Sequence, residues 1–211
     1  MTEAGGVAAY GRPEYWDLRY QKDPEPLEWH QLSWPGLKES FSAYVKPEHH
    51  ILNVGCGNSI LSEEMFEDGF RDITNIDVSA VVIKAMQDRY QDKSGMVFKQ
   101  MDCRRMDFND GSFETVIDKA LLDSIVCGEG STVNAHKYLS EVSRVLSSSG
   151  TLILVSHGQP QYRMNYLNKP EYGWSVTTVT LPRPLLAVQV ASTDDKDNVY
   201  YIYICQKGTK P

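Results

Sequence analysis

Two glycines separated by one residue, Gly55 and Gly57, mark the stretch of this sequence best suited to binding a ligand. They follow four residues typical of a buried strand, Ile51 to Val54, and precede an amphipathic segment that begins at Ser59. Glycine lets the backbone turn sharply and approach a ligand closely. The free N–H groups at the start of a helix favour an electron-rich group at the same place. The pattern is typical of a nucleotide-type site at the carboxyl end of the first strand of an open α/β sheet.

Acidic residues end the next two predicted strands. Asp77 follows the glycine turn by about twenty residues, the spacing at which a carboxylate binds the two hydroxyls of a ribose. Asp102 is placed to accept hydrogen bonds from the amino group of an adenine, with the backbone N–H of Cys103 beside it. Each carboxylate also has a purely structural interpretation. Asp77 would then only end a strand before a helix cap at Ser79, and Asp102 would be a solvated loop residue.

The glycine turn departs from the dinucleotide-binding pattern, because Ile60 stands where the third glycine of G-x-G-x-x-G belongs. That third glycine permits close packing around a pyrophosphate. Its replacement disfavours NAD and favours a nucleoside without phosphates. S-adenosylmethionine is the obvious cofactor of that kind.

These residues are positioned by an alternation of short apolar strands and amphipathic helices. The predicted strands are residues 51–54, 73–77, 96–102, 113–118 and 151–156. The predicted helices are residues 13–20, 34–45, 59–66, 80–90 and 133–146, the last followed by a turn at 147–150. Such βα units predict an α/β fold with a doubly wound, mainly parallel sheet. Three later β-rich segments, 174–180, 185–191 and 200–205, predict an antiparallel hairpin at its end.

The length of 211 residues and the 41% hydrophobic content predict one globular domain. We expect residues 1–12 to form a disordered tail, because they are rich in Gly and Ala and lack the architecture of a signal peptide. Residues 13–211 would then form the domain. Within it we distinguish cap helices at 13–46, a cofactor-binding core at 50–156 and a β-rich part at 157–208.

Composition excludes several classes of function. The net charge of −7 disfavours sequence-independent binding of nucleic acid, which requires a basic face. No apolar run reaches the length of a membrane span. The four cysteines are scattered without a C-x-x-C pair or a histidine at ligand spacing, which predicts neither a disulfide framework nor a metal site. We therefore expect a monomer in the reducing cytoplasm.

Four motifs together resemble the successive motifs of seven-β-strand (class I) S-adenosylmethionine-dependent methyltransferases. They are Asn53 to Ser59, Asn75 to Ser79, Met101 to Cys103 and Ile117 to Asp123. Three further features resemble the branch that holds the lysine methyltransferases of translation elongation factor 1-alpha. They are Glu14-Tyr15-Trp16-Asp17-x-Arg19-Tyr20, the Glu28-Trp29 pair, and Tyr172-Gly173-Trp174-Ser175. The resemblance implies a Rossmann-like seven-stranded sheet with short N-terminal cap helices.

The resemblance also implies a set of cofactor contacts. They fall on Trp16, Tyr20, Trp29, Gly55, Cys56, Gly57, Asp77, Val78, Asp102, Cys103 and Lys119. A sulfonium cation beside the three aromatic rings would gain cation–π attraction of about 1 kcal/mol. The alternative is that these rings only pack the N-terminal helices onto the sheet.

The acceptor site follows the fourth strand, where the family usually has Asp-Lys-Gly-Thr-Leu-Asp. Ala120 and Leu121 replace the glycine and the threonine here, which adds bulk beside the methyl donor. Asp123 is our candidate for orienting an acceptor amine, and an N-cap or loop carboxylate is the alternative interpretation. His136 and His157 are the histidines expected nearest this edge, and His157 is a candidate for supporting the site from just after the fifth strand.

The function implied is methylation of a protein lysine, most simply on a translation elongation factor or a similar cytosolic protein. A dedicated general base is not required, because a narrow channel with apolar walls disfavours the ammonium form of the acceptor lysine, whose proton can leave to water or to a nearby carboxylate. Two alternatives stay open at this point. One is a small-molecule methyltransferase, and the other is a non-catalytic module that keeps the methyltransferase fold and binds a partner.

Overall fold

The computed structural model describes residues 7–183 and 198–208. Its helices are α1 (Pro13–Lys22), α2 (Trp34–Phe41), α3 (Leu61–Glu67), α4 (Ala80–Arg89), α5 (Leu121–Ile125), α6 (Ser131–Val145) and α7 (Pro160–Leu167). Its strands are β1 (Ile51–Val54), β2 (Ile73–Asp77), β3 (Met96–Gln100), β4 (Phe113–Lys119), β5 (Leu146–Ser156), β6 (Trp174–Pro182) and β7 (Val199–Lys207). Short 3-10 helices span Val7–Gly11, Trp29–Gln31 and Pro170–Tyr172.

The strands form one seven-stranded sheet in the order β3-β2-β1-β4-β5-β7-β6. Strands β1 to β5 pair in parallel, whereas β7 runs antiparallel to both β5 and β6. The predicted doubly wound sheet with an antiparallel C-terminal hairpin is confirmed. The strand order reverses between β1 and β4, so a crevice opens at their carboxyl ends, where ligands bind in folds of this kind.

Two apolar layers cover the sheet, because side chains along each strand alternate between its faces. Ile51, Ile117 and Ile153 belong to the layer that includes the buried residues of α2, α3 and α4. Their neighbours Leu52 and Val116 belong to the opposite layer, together with the buried residues of α6. The sheet is therefore held between two cores, which fixes the position of the edge where β1, β2 and β4 end.

The start of β5 differs from the prediction. Residues 147–150 were expected to form a turn, but the structure places them inside β5, with Leu146 opposite Phe113 and Thr151 opposite Thr115. Between these two pairs β5 has four residues and β4 has only one, so the chain accommodates the polar segment as a bulge rather than leaving the sheet. The predicted strand at 185–191 lies outside the described residues.

The N-terminus also differs from the prediction. The disordered tail was expected to extend to residue 12, but Val7–Gly11 forms a 3-10 helix. Trp16 donates a hydrogen bond from its ring N–H to the carbonyl of Tyr10 (2.9 Å), and Gly11 lies directly against Gly128. Residues 1–6 lie outside the described part of the chain. The N-terminal cap therefore begins earlier than expected, because Tyr10, which precedes α1, contacts Trp16 within that helix.

Across the described ranges, 7–183 and 198–208, we find no helix with both the length and the apolar character required to cross a bilayer.

Candidate active site

A cleft opens at the carboxyl edge of the sheet, between the glycine turn after β1 and the end of β4. Every residue predicted to contact a cofactor lies along its wall. These residues are Trp16, Tyr20, Trp29, Gly55, Cys56, Gly57, Asp77, Val78, Asp102, Cys103 and Lys119. The fold thus brings together residues from the N-terminal cap, the turn after β1 and the ends of three strands.

The glycine turn needs glycine at both positions. Gly55 and Gly57 have φ angles of 64° and 51°, which residues with a side chain rarely adopt. A Cβ atom on Gly57 would lie 2.6 Å from the hydroxyl of Tyr20, and one on Gly55 would lie 2.8 Å from the side chain of Leu121. The positive φ angles and the lack of space for a Cβ atom therefore both require glycine at these two positions.

The carboxylate of Asp77 holds this turn in place. It accepts hydrogen bonds from the backbone N–H groups of Gly57 (3.0 Å) and Ser79 (2.9 Å). The side chain is buried, and burial raises the pKa of Asp77 to about 6 despite these two donors. Asp77 thus has a structural role, and it remains our predicted ribose ligand because it also lines the cleft.

Asp102 already has a strong partner in this structure. Its two oxygens accept hydrogen bonds from the guanidinium of Arg104, at 2.7 Å for the closest contact. Burial alone would raise the pKa of Asp102, but the hydrogen bonds from Arg104 outweigh it and hold the pKa below its usual value. Arg104 also reaches Asn134, which lies on α6. An adenine amino group would therefore share Asp102 with Arg104. The pairing of Asp102 with Arg104 was not predicted from the sequence.

Glu28 links the N-terminal cap to the cleft. Its carboxylate accepts hydrogen bonds from Lys119 Nζ (2.6 Å), from the hydroxyl of Ser59 (2.9 Å) and from the backbone N–H of Ile60 (2.6 Å). The Lys119 side chain is only 4% exposed, and burial lowers the pKa of Lys119 although Glu28 opposes this shift. Lys119, which was predicted to contact the cofactor, is thus paired with the carboxylate of Glu28 in the N-terminal cap.

Aromatic rings form the outer wall of the cleft. Trp16 stacks on Tyr20 and Tyr10 with ring centroids 5.8 Å apart, and it meets Trp29 edge to face at 6.2 Å. The rings therefore do pack against one another, as the alternative interpretation required. They also line the cleft, so packing and contact with a cation are compatible. Tyr10 was not identified from the sequence, because it lies in the segment that was assigned to a disordered tail.

The first residue after β4 shows how this chain departs from its family pattern. Ala120 has a φ of 75°, a left-handed conformation that glycine adopts without strain. Leu121, which follows it, lines the cleft and packs against Gly55. The added bulk predicted beside the donor site is therefore present, and it comes with a strained backbone.

We expect Ala120→Gly to raise the free energy of unfolding by roughly 0.5–1 kcal/mol, because relief of the left-handed strain exceeds the added flexibility of the unfolded chain. Chemical denaturation measures the effect. Ala85→Gly, at an exposed position inside α4, serves as the control and should lower stability by about 1 kcal/mol. Equal destabilisation by both substitutions would contradict the account of Ala120.

Asp123 lies within α5, so it is neither an N-cap nor a loop residue. One carboxylate oxygen accepts hydrogen bonds from Arg163 (2.7 Å) and from the hydroxyl of Ser156. The other accepts from the backbone N–H of His157 (3.1 Å) and lies 2.8 Å from its ring Nδ1. Burial alone would raise the pKa of Asp123, but His157, His30 and Arg163 hold it well below its usual range.

The two histidines singled out from the sequence lie in different places. His157 is in contact with Asp123, as a residue supporting the predicted acceptor edge would be. His136 instead pairs with the hydroxyl of Tyr172 at 3.0 Å, away from that carboxylate. Tyr172 and Trp174 of the late aromatic motif are buried in the core layer beside α6, so their contribution here is packing.

The cleft fits the predicted nucleoside cofactor on its own geometry. Asp77 and Asp102 line one side of the cleft, and the glycine turn from Gly55 to Gly57 lines another. The turn at Gly57 is too close to Tyr20 for any side chain, so the backbone itself forms the floor. Carboxylates for hydroxyl and amino groups, together with aromatic rings for a cation, match the chemistry of S-adenosylmethionine.

Comparison with known sequences agrees with this geometry. Residues 52–154 match the protein family described as a methyltransferase domain. EEF1A lysine methyltransferase 4 of Mus musculus is 37% identical over 185 residues, covering 81% of this chain and 71% of the mouse protein. The eEF1A lysine and N-terminal methyltransferase of Mus musculus is 33% identical over 192 residues, covering 89% of this chain and 26% of that protein.

Solved structures share the fold at low sequence identity. A SAM-dependent methyltransferase from Methanosarcina mazei superposes with a TM-score of 0.60 at 19% identity, over 81% of this chain and 98% of that one. Geranyl diphosphate methyltransferase in complex with SAM gives a TM-score of 0.65 at 15% identity, over 99% of this chain and 93% of that one. The glycine turn, the sheet order and these relatives lead to one conclusion: the chain is a class I S-adenosylmethionine-dependent methyltransferase, in the family that contains the EEF1A lysine methyltransferases.

Proposed function

We propose that this methyltransferase transfers methyl groups to the side-chain amine of a lysine in a protein, and that translation elongation factor 1-alpha is the substrate. The observation that carries the proposal is the similarity, over most of the chain, to relatives named for methylation of that factor. The rings of Trp16 and Trp29 line the cleft, and the exposed imidazole of His157 contacts Asp123, our candidate for orienting the acceptor.

We assign the binding of the cofactor to the residues that line the cleft. Asp77 would accept hydrogen bonds from the ribose hydroxyls, Asp102 from the adenine amino group, and the aromatic wall would face the sulfonium. S-adenosylmethionine, when bound, supplies a methyl group activated by its positive sulfur. The protein chiefly positions the acceptor in line with that group and excludes water.

The acceptor lysine must arrive without its proton. Leu121, Ile125 and Trp29 form apolar wall beside the end of β4, and such surroundings disfavour an ammonium. The proton leaves to water or to the network around Asp123, whose carboxylate is ionised and shared between His157 and Arg163. Asp123 therefore acts in this proposal through its neighbours, because both of its oxygens are already in contact with donors.

The raised pKa of Asp77 predicts that cofactor binding depends on pH. Below pH 6 protonation removes an acceptor for the ribose hydroxyls, so the affinity for S-adenosylmethionine should fall by up to about 10-fold per pH unit. Because this pKa is raised by folding, the stability contributed by Asp77 is greatest below its unfolded value and is lost as pH rises through 6. Weaker binding at low pH would therefore not arise from unfolding at this residue.

Calorimetry of cofactor binding across this pH range measures the effect, with Asp77→Asn as the control. The variant should bind weakly and with little dependence on pH, because its side chain does not titrate. An affinity of the unmodified protein that stays constant through pH 6 would contradict the assignment of Asp77.

The substrate class is tested with radiolabelled S-adenosylmethionine, the purified enzyme and a cytosolic extract. We expect one labelled protein band at the size of elongation factor 1-alpha, absent with the Asp77→Ala variant. Label found only among small molecules would replace the proposal with small-molecule methylation. Cofactor binding without any transfer would instead favour a non-catalytic binding role.

We further propose that residues 13–211 act as a single methyltransferase domain, and that the protein works as a cytoplasmic monomer without nucleic acid or membrane partners. The net charge of −7 and the absence of a membrane-spanning helix among the described residues support the latter part. The size of the chain in dilute solution, measured by light scattering, tests the oligomeric state.

A further inference from the structure

Three side chains from distant parts of the sequence meet beside the carboxyl end of β5. They are His30 from the cap, Asp123 from α5 and His157 from the residue after β5. His157 Nδ1 lies 2.8 Å and His30 Nε2 lies 3.4 Å from the same carboxylate oxygen, Oδ2 of Asp123. All three ligand atoms lie within 4.8 Å of one another. Methyl transfer as proposed above does not require the imidazole of His30.

His30 is held in this position without a hydrogen bond. Its side chain is only 7% exposed, and its Nε2, 3.4 Å from Asp123 Oδ2, makes no hydrogen bond of regular geometry among the described residues. Burial lowers the pKa of His30, although Asp123 opposes this shift. A buried polar atom without a partner carries a free-energy cost, which a ligand at that atom would remove.

The backbone at His30 is strained as well. His30 and Gln31 have φ angles of 64° and 53°, two consecutive left-handed residues that are not glycine. Each such residue costs on the order of 1 kcal/mol, and strain of this kind concentrates at functional sites. In this conformation the ring of His30 lies against Asp123 and Tyr200, and the ring centroids of His30 and Tyr200 are 4.6 Å apart.

Asp123 is oriented as a metal-binding carboxylate usually is. Its Oδ1 accepts hydrogen bonds from Arg163 and Ser156, and its Oδ2, which also accepts from the backbone N–H of His157, faces both imidazoles. Carboxylates that bind metals are commonly fixed by such hydrogen bonds to the other oxygen. The guanidinium also places a positive charge near the site, which predicts moderate rather than extreme affinity for a cation.

We propose that His30, Asp123 and His157 bind a divalent transition-metal ion, with Zn²⁺ as the best match. Two imidazole nitrogens and one carboxylate oxygen are a donor set that zinc prefers, with a further position open to solvent. The 3.4 Å between His30 Nε2 and Asp123 Oδ2 is close to the ligand separation of about 3.3 Å around a tetrahedral ion with bonds of about 2.0–2.1 Å. His157 must move outward slightly, and its 56% exposed side chain leaves room to do so.

A metal ion here would join parts of the molecule that the methyl-transfer site uses. His30 follows Trp29, which lines the cofactor cleft, and Asp123 follows the residues that end β4. The ion would fasten the Trp29–Gln31 segment to the sheet edge. This inference does not rest on the identity of the methyl acceptor, and its test does not use methyl transfer.

The full-length protein, first treated with a chelator, is titrated with Zn²⁺ by calorimetry and with Co²⁺ by visible absorption. We expect one ion per chain and a Co²⁺ spectrum typical of nitrogen and oxygen ligands. His30→Gln and His157→Gln should each weaken binding at least about 100-fold, because each removes a ligand. His136→Gln, which replaces a histidine outside the cluster, should bind as the unmodified protein does.

Two results would overturn the proposal. The first is a protein that binds neither ion, which would leave the three side chains as a network held by hydrogen bonds and charge. The second is unchanged affinity in His30→Gln and His157→Gln, which would place the ion elsewhere, for instance on a cysteine thiol. Because His157 is exposed, its variant should fold normally, and S-adenosylmethionine binding by each variant verifies that it has folded.

Discussion

Asp77→Ala is expected to weaken the binding of S-adenosylmethionine at least about 100-fold. The substitution removes the proposed acceptor for two ribose hydroxyls, and hydrogen bonds to a charged group contribute about 1.5–3 kcal/mol each. It also removes the carboxylate that accepts from the backbone N–H groups of Gly57 and Ser79, so the glycine turn loses its support. Calorimetric titration with the cofactor measures the loss directly.

The control is Asp107→Ala, which removes an exposed carboxylate from the loop after β3. It should leave the affinity unchanged, so a general effect of removing a negative charge is excluded. Denaturation of the Asp77 variant must show a folded protein before its affinity is interpreted. An affinity within about 2-fold of the unmodified protein would refute the assignment of Asp77 as the ribose ligand.

Asp123→Ala is expected to lower the free energy of unfolding by about 3–5 kcal/mol. The substitution leaves the guanidinium of Arg163, whose side chain is 8% exposed, without its carboxylate partner inside the protein. Removing one member of a buried ion pair costs this much because the remaining charge cannot be solvated. The expected loss is a large fraction of the 5–15 kcal/mol by which domains are usually stable.

Denaturation in the presence of a chelator isolates this effect from any bound metal. Asp110→Ala is the matched control, because Asp110 pairs with Arg144 at the surface with a side chain that is 81% exposed. It should cost less than about 1 kcal/mol. The double substitution Asp123→Ala with Arg163→Met should recover much of the loss, since it removes both charges. Equal effects of the two single substitutions would show that Asp123 and Arg163 are not a stabilising pair.

Local patterns in the sequence were sufficient to predict the cofactor side of the cleft. Gly55, Gly57 and Asp77 lie near one another because a strand, a turn and the next strand impose that arrangement. The mainly parallel, doubly wound sheet follows from the alternation of strands and helices, and the antiparallel hairpin follows from the β-rich last third of the chain. Short-range spacing therefore predicted the fold class, the glycine turn, Asp77 and Asp102. The aromatic residues of the cap and Lys119 were assigned to the cleft only by the resemblance to the family.

Features that depend on long-range contacts were not predicted. Arg104 occupies Asp102 through a side-chain conformation that the sequence does not specify, and Glu28 reaches Lys119 across 91 positions. His30 and Asp123 are brought together by a strained backbone, which residue types alone do not reveal. No metal site was predicted, because the cysteines have no partner ligand at close spacing in the sequence. The proposed ligands instead come from three separate segments.

The central proposal is that this enzyme transfers methyl groups to a lysine of elongation factor 1-alpha, and it can be tested directly. The measurement is mass spectrometry of peptides from the purified, unmethylated factor after incubation with this enzyme and S-adenosylmethionine. We predict methyl groups on the side chain of one or more lysines, and none when Asp77→Ala replaces the unmodified enzyme. An enzyme that binds S-adenosylmethionine but leaves every lysine of the factor unmodified would contradict the proposed substrate.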